Sequence, residues 1–266
     1  MAEKQNTPEI RFEGFTDPWE QRKLGDMGTT YGGLTGKSKD DFGHGAAWFV
    51  PYTNVFDNPV GDSTRLERVE IDPSQNVVRR GDALFTVSSE TPEEVGMSSV
   101  WPSDLDDLYL NSFCFGYRQD GSFDPSYLAY MLRADSFRNQ IEMLAQGISR
   151  FNISKGKVME IEVPVPDKRE QARIGRLFVD LDSLITLHQR MCSIFCFCAH
   201  GSRINFASIL QGQLRILRYL RPMPKMRASP SALASGTTDI VVALSFSVLS
   251  PLARRPARQG RTPSLA

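Results

Sequence analysis

The clearest pattern in the chain is a stripe at Ile174, Leu177, Phe178, Leu181, Leu184, Ile185 and His188, spaced for one face of an amphipathic helix. The period begins near Glu170 and stops after Arg190. Just ahead of it, residues 157–165 alternate, with Ile161, Val163 and Val165 on one side against Glu160 and Glu162 on the other, which predicts a half-buried strand. Further upstream, residues 48–52 read as a strand, residues 69–72 and 77–78 alternate, and a Gly81-Asp82 turn precedes a short buried strand over residues 83–87. Helix follows at Asp124-Pro125, where Asp caps and Pro takes the first helical position, with Tyr127, Leu128, Met131 and Leu132 on one face. A second helix starts near Ser136, gathers Phe137, Ile141, Leu144 and Ala145, and ends at Gly147. This order predicts an α+β fold: one mixed, sheet-rich domain over residues 1–167, a long amphipathic helix over 168–190, and an irregular tail over 191–266. No repeat of 20–50 residues interrupts it.

Charge changes where the period stops. Residues 1–190 carry 21 Lys+Arg against 30 Asp+Glu, whereas residues 191–266 carry 10 against 1, so an overall charge of zero hides two unlike segments. The tail lacks Glu and Trp, holds three of the four cysteines and scatters its prolines, so it reads as having no core of its own. Translation outside the ancestral frame accounts for so abrupt a change; a basic nucleic-acid arm is the alternative. Its most apolar run, residues 240–252, is shorter than the roughly 20 residues of a membrane span and is broken by serines and a proline. The first 20 residues are mixed and charged rather than leader-like, so the expected location is the cytoplasm, away from membranes. Cys114 then reads as a small buried hydrophobe. Cys192-x3-Cys196-x-Cys198-x-His200 lacks the spacing of zinc sites, so no metal is expected.

Candidate catalysis fails on spacing. Gly36-Lys37-Ser38 matches the end of a phosphate-cradling loop, but the glycine required five positions earlier is Tyr31. A phosphate-handling enzyme built on the loop from Gly32 to Ser38 is therefore kept only as the alternative. The chain has three histidines, none in a Ser, Cys or Glu constellation that would support nucleophilic or metal chemistry. Binding is what remains. Lys37, Lys39, Tyr52, Asn54, Ser88, Ser89, Arg150, Asn152 and Lys155 supply what duplex DNA needs: cations for phosphate or guanine, Asn for adenine, hydroxyls for either. The acidic body restricts such a footprint to a local patch.

An ordered set of motifs carries a family resemblance: Arg11-Phe12-x-Gly14-Phe15, Trp19-Glu20-Gln21, Gly32-Gly33, Gly81-Asp82-Ala83-Leu84-Phe85, Asn111-Ser112-Phe113, Gly147-Ile148-Ser149-Arg150-x-Asn152-Ile153-Ser154, and Pro164-x-Pro166-x3-Glu170-Gln171-x2-Ile174. Over about residues 9–190 the chain resembles the specificity subunit of type I restriction–modification systems. The resemblance implies a target-recognition domain that reads one half of a split site in double-stranded DNA, followed by a spacer helix. It implies no chemistry and no cofactor on this chain. S-adenosylmethionine belongs to partner methyltransferase subunits, and ATP and Mg2+ to partner translocase–nuclease subunits. Members of the family usually carry two recognition domains and two antiparallel spacers, whereas this chain shows one of each. The stripe at Ile174, Leu177, Phe178, Leu181, Leu184, Ile185 and His188 is then a partner interface, through which two copies could pair as half-subunits. A decayed remnant of such a subunit would share all these features.

Overall fold

Glycine and proline cut the first 120 residues into short extended runs, and in the computed structural model of the protein each run joins a ladder of only two to four strands. The structure describes residues 8–199 and 226–228, with side chains through Gln189. In chain order the strands are β1 (Ile10–Phe12), β2 (Glu20–Lys23), β3 (Gly28–Gly32), β4 (Phe42–Val50), β5 (Glu67–Val69), β6 (Ala83–Thr86), β7 (Ser88–Ser89), β8 (Ser98–Val100), β9 (Leu108–Leu110), β10 (Cys114–Gln119), β11 (Phe151–Asn152), β12 (Glu162–Val165) and β13 (Met226–Ala228). The helices are α1 (Tyr52–Asp57), α2 (Pro125–Met131), α3 (Asp135–Leu144), α4 (Lys155–Met159) and α5 (Lys168–Ala199).

An antiparallel sheet in the order β3-β10-β6-β8 forms the centre. Alternation along its strands puts Phe85 and Phe115 on one face, stacked at 5.0 Å, where α2 and α3 add Tyr127, Leu128, Phe137 and Ile141 to the main core. Leu84 and Cys114 point to the other face and join Val50, Val55, Trp101, Leu108 and Leu110. The second sheet, β5-β4-β9, is mixed, because β4 runs parallel to β9 and antiparallel to β5. Two-stranded pairings β12-β2, β11-β7 and β1-β13 complete the α+β architecture.

Several sequence expectations change here. Residues 51–52 leave the expected strand: Pro51 sits at the helix cap position and Tyr52 opens α1. Residues 157–159 of the expected strand belong instead to the helical turn Lys155–Met159, so only residues 162–165 of the alternating run pair with a neighbour, although Ile161 and Val163 are buried as the alternation requires. The long helix runs to Ala199, nine residues past the point where the apolar period ends. Of the tail read as irregular, residues 191–199 are helical and Met226–Ala228 pairs antiparallel with β1; the other tail residues, His200 among them, lie outside the described residues.

The joint between domain and helix is polar and buried. Glu170 has no exposed surface, and its carboxylate accepts a two-pronged pair from Arg11, Nε at 2.7 Å and Nη2 at 2.8 Å, with Trp19 Nε1 adding a third bond at 3.0 Å. Its neighbour Gln171, 1% exposed, accepts from the Asp124 backbone N–H and donates to the carbonyls of Ser122 and Pro166. Asp124 in turn caps α2 through the N–H groups of Ser126 and Tyr127. One turn on, α5 passes so close to α2 that a Cβ on Gly175 would lie 2.6 Å from Tyr127 N and 2.7 Å from Ser126 Cβ. Glycine is required there by contact, not by dihedral.

From Ile174 onward the stripe divides. Ile174, Phe178 and Val179 pack on the domain core, Phe178 stacks on Tyr130 at 5.2 Å, and the Tyr130 hydroxyl donates to Asp182 at 2.7 Å. Leu177, Leu181, Leu184 and Ile185 remain half-buried outside that core, and His188 is exposed. Glu170→Gln leaves the Arg11 guanidinium, whose side chain is 9% exposed, without its counter-charge. We expect urea unfolding to show a loss of about 3 kcal/mol or more. Unchanged stability would mean that the clamp does not hold the joint.

Candidate nucleic-acid interface

The loops expected to meet DNA lie at the ends of the central strands. Val87, between β6 and β7, donates its N–H to the Phe113 carbonyl at 2.9 Å and accepts from Ile153 N–H at 3.0 Å, so the loops leading into β10 and out of β11 are laced to one residue. Ser88 pairs with Asn152 and Ser89 with Phe151. Tyr52 Oη donates to the Ser88 carbonyl at 2.9 Å, which brings α1 to the same rim. A Cβ on Gly32, at the adjacent end of β3, would lie 3.7 Å from Lys155 Nζ. The fold thus gathers Tyr52, Ser88, Asn152 and Lys155 along one edge, with Arg150 beside them.

Burial separates contact candidates from framework. Lys39, Arg150, Asn152 and Lys155 are exposed. Asn54 is fully buried: its Nδ2 donates to the Asp62 and Arg65 carbonyls and its Oδ1 accepts from Asp62 N–H, so its whole amide is used in holding the loop after α1. Ser89 is buried and donates to Glu94 at 3.2 Å, and the Ser88 hydroxyl is also buried. Asn54, Ser88 and Ser89 thus turn their side-chain polar atoms inward, where they serve the framework of the loops. Lys37, its side chain 12% exposed, is paired with Asp72 at 3.1 Å, and Gln75 bonds both the N–H and the carbonyl of Thr35. The glycine-rich loop is therefore pinned, and strand β4 follows its single 3-10 turn. A phosphate loop needs a full helix N-terminus at that place.

Three charged groups brace the rim from inside, and periodicity gave no sign of them. Arg133 Nε donates to the Ser98 carbonyl at 2.6 Å, and its Nη2 to those of Val55, Phe56 and Asn58 at the end of α1. Arg138 does the same for the carbonyls of Glu93, Val95 and Gly96. Burial pushes Arg133 down to about 9 and Arg138 to about 10, so both stay cationic at neutral pH on backbone dipoles. Asp82, of the Gly81-Asp82 turn, is buried and accepts from Tyr31 Oη, Arg118 and the Arg79 N–H, with Arg118 lying over the Tyr31 ring at 5.0 Å. Desolvation drives the Tyr31 phenol well above its usual value. Cys114 is buried as expected, its thiol raised by the same cause. Among the described residues no cluster of His, Cys, Asp and Glu could hold a metal, and no helix is long and apolar enough to cross a membrane.

A domain with a braced rim of cationic and amide side chains, clamped to a long helix, is built as a recognition module on a strut. Residues 16–191 match the family described as the type I restriction modification DNA specificity domain, and the chain belongs to that family. Three solved structures are similar to parts of the chain. A structure concerned with complex assembly and conformational transition of the type I R-M system aligns with 69% of this chain and 43% of its own at 18% identity, TM-score 0.50. The S subunit of the M. genitalium type I system aligns at 16% identity and TM-score 0.46, covering 69% of this chain and 44% of that one. The HsdS subunit of Thermoanaerobacter tengcongensis gives 19% and 0.48, covering 69% and 42%. The chain thus matches less than half the length of each. No curated protein matches it in sequence.

Beside the glycine-rich loop, His44 has acceptors at both ring nitrogens, Glu70 at 2.9 Å and the Asp40 carbonyl at 2.7 Å. Only the imidazolium can donate to both, so the Asp40 carbonyl first and Glu70 second raise its pKa. A raised folded value stabilises the fold below the unfolded pKa of about 6.5, and that contribution is lost as pH rises through the folded value. NMR titration should find His44 above about 6.5 and lower in Glu70→Gln; a normal value in both would contradict this geometry.

Proposed function

We propose that this chain is a DNA-reading specificity subunit, or half of one, that acts by placing other proteins on a target sequence and performs no catalysis itself. The match of residues 16–191 to the specificity-domain family carries the reading, because it spans both the recognition domain and the start of its helix. Lys39, Arg150, Asn152 and Lys155 are the candidate DNA contacts, with the Tyr52 ring at the edge. Methyltransferase subunits would bring S-adenosylmethionine and translocase–nuclease subunits ATP and Mg2+, in the cytoplasm. Leu177, Leu181, Leu184 and His188 follow one another at spacings of four, three and four residues on α5, which is the seam of a helix pair. A second copy laid antiparallel on that seam would supply the other half-site. The α5 rod of 32 residues is about 48 Å long at 1.5 Å per residue, which suits a spacer.

The phosphate-handling alternative draws no support from a pinned Lys37. Two measurements separate the readings. Mixed with its methyltransferase partner, the protein should retain one sequence class from a random duplex library; retention no better than bulk DNA would refute the proposal. ATP binding at micromolar concentration, abolished by Lys37→Ala, would restore the enzyme reading, and we expect none.

A further inference from the structure

A residue that sets the target of this chain must lie outside the motifs it shares with its family, must reach the rim and must be held there. Arg150 and Asn152 belong to a shared motif, so they suit contacts that every target offers. Three unshared stretches touch the rim. In the stretch after β6, the hydroxyls of Ser88 and Ser89 are turned inward, and the exposed side chains that follow are Glu90, Glu93 and Glu94, which phosphate repels. In the stretch before Gly147, Gln146 is tied to Asn152 by two backbone hydrogen bonds, but no contact among the described residues fixes its side chain.

The third stretch, residues 34–80, reaches the rim at Tyr52, Gln75 and Asn76. The Tyr52 hydroxyl is spent on the Ser88 carbonyl, and Gln75 spends its whole amide on Thr35 and Asp72. Asn76 is different. It is exposed, and its Nδ2 donates one hydrogen bond, at 3.2 Å, to the carbonyl of Gly32. That bond fixes which end of the amide is which, because the reverse orientation would set two acceptor oxygens together. One N–H and Oδ1 are left facing solvent, the donor and acceptor that an adenine takes at N7 and N6 in the major groove. The same glycine adjoins a cation, since a Cβ on Gly32 would lie 3.7 Å from Lys155 Nζ. A held amide beside an exposed lysine combines a base reader with a phosphate anchor. Ordering it on DNA costs less than ordering Gln146, because its side chain is already placed.

We propose that Asn76 is a specificity-determining residue that reads the major-groove edge of an adenine, with Lys155 on a neighbouring phosphate. The inference rests on the DNA-reading proposal above. The test uses the full chain with its methyltransferase partner and the site that the wild type enriches from the random duplex library. Asn76→Ala should weaken binding to that site about tenfold, as for loss of one good base contact, while binding to unrelated duplex and the salt slope stay unchanged. Lys155→Ala should instead weaken all sequences alike and reduce the slope by about one. Replacing adenines one at a time by 7-deazaadenine removes N7 and probes the same contact from the DNA side. At one position the replacement should cost the wild type about tenfold and cost Asn76→Ala nothing further. Three results would each overturn this inference alone: equal loss on specific and unrelated DNA in Asn76→Ala, no adenine whose N7 matters to the wild type only, or loss of the preference in Gln146→Ala but not in Asn76→Ala. Absence of any sequence preference in the wild type would overturn the DNA-reading proposal with it.

Discussion

The joint between the domain and α5 is built around the buried carboxylate of Glu170. It stands at the start of α5, takes both prongs of Arg11 and the indole of Trp19, and has no exposed surface. A buried ion pair contributes little net stability compared with apolar packing, because two charges must first leave water. It does impose a unique arrangement, since a slip of α5 by even one residue would bury both charges unpaired. Gln171 and Gly175 add two further constraints within the first two turns: one reads backbone groups of the 122–124 loop, the other sets the close approach of α5 to α2. The helix therefore leaves the domain in one direction and with one rotation. The spacer role proposed for α5 requires that rigidity.

The rim is held by the same means. Arg133 and Arg138 collect seven backbone carbonyls from the 93–98 segment and from the end of α1, and Asp82 collects Tyr31, Arg118 and a backbone N–H. Loops tied to buried charges hold their outward side chains in place, which lowers the entropy lost on binding. Burial divides the polar groups: those turned inward fix the loops, and Lys39, Arg150, Asn152 and Lys155 face outward.

How much of this could be read from the chain depends on which physical signal each feature leaves. The capped helix at Asp124-Pro125 and the buried strand at residues 83–86 come from local chemistry and from runs of one polarity, and both stand in the structure. The α5 stripe was legible as a face but not as two faces. Ile174 and Phe178 turn to the domain while Leu177, Leu181 and Leu184 do not, because only one side of α5 meets the domain and a binary pattern does not say which apolar residues that side takes. Asn54 and Ser89 read as DNA contacts because amides and hydroxyls serve capping, loop closure and base reading alike; only burial distinguishes these uses. Residues 155–159 show a similar ambiguity, since five residues are too few for the helical and extended periods to diverge. Glu170-Gln171 stood out as a motif, but its partner Arg11 lies 159 residues away, beyond the reach of local pattern.

The central claim is that a braced rim on a rigid strut selects a DNA sequence on behalf of other subunits. Mapping methylated bases across the genome of the source cell, with the gene intact and with it deleted, tests that claim most directly. The account predicts one modified motif, either split in two or palindromic, that disappears on deletion and returns with the intact gene. A methylation pattern identical in both cells would contradict it.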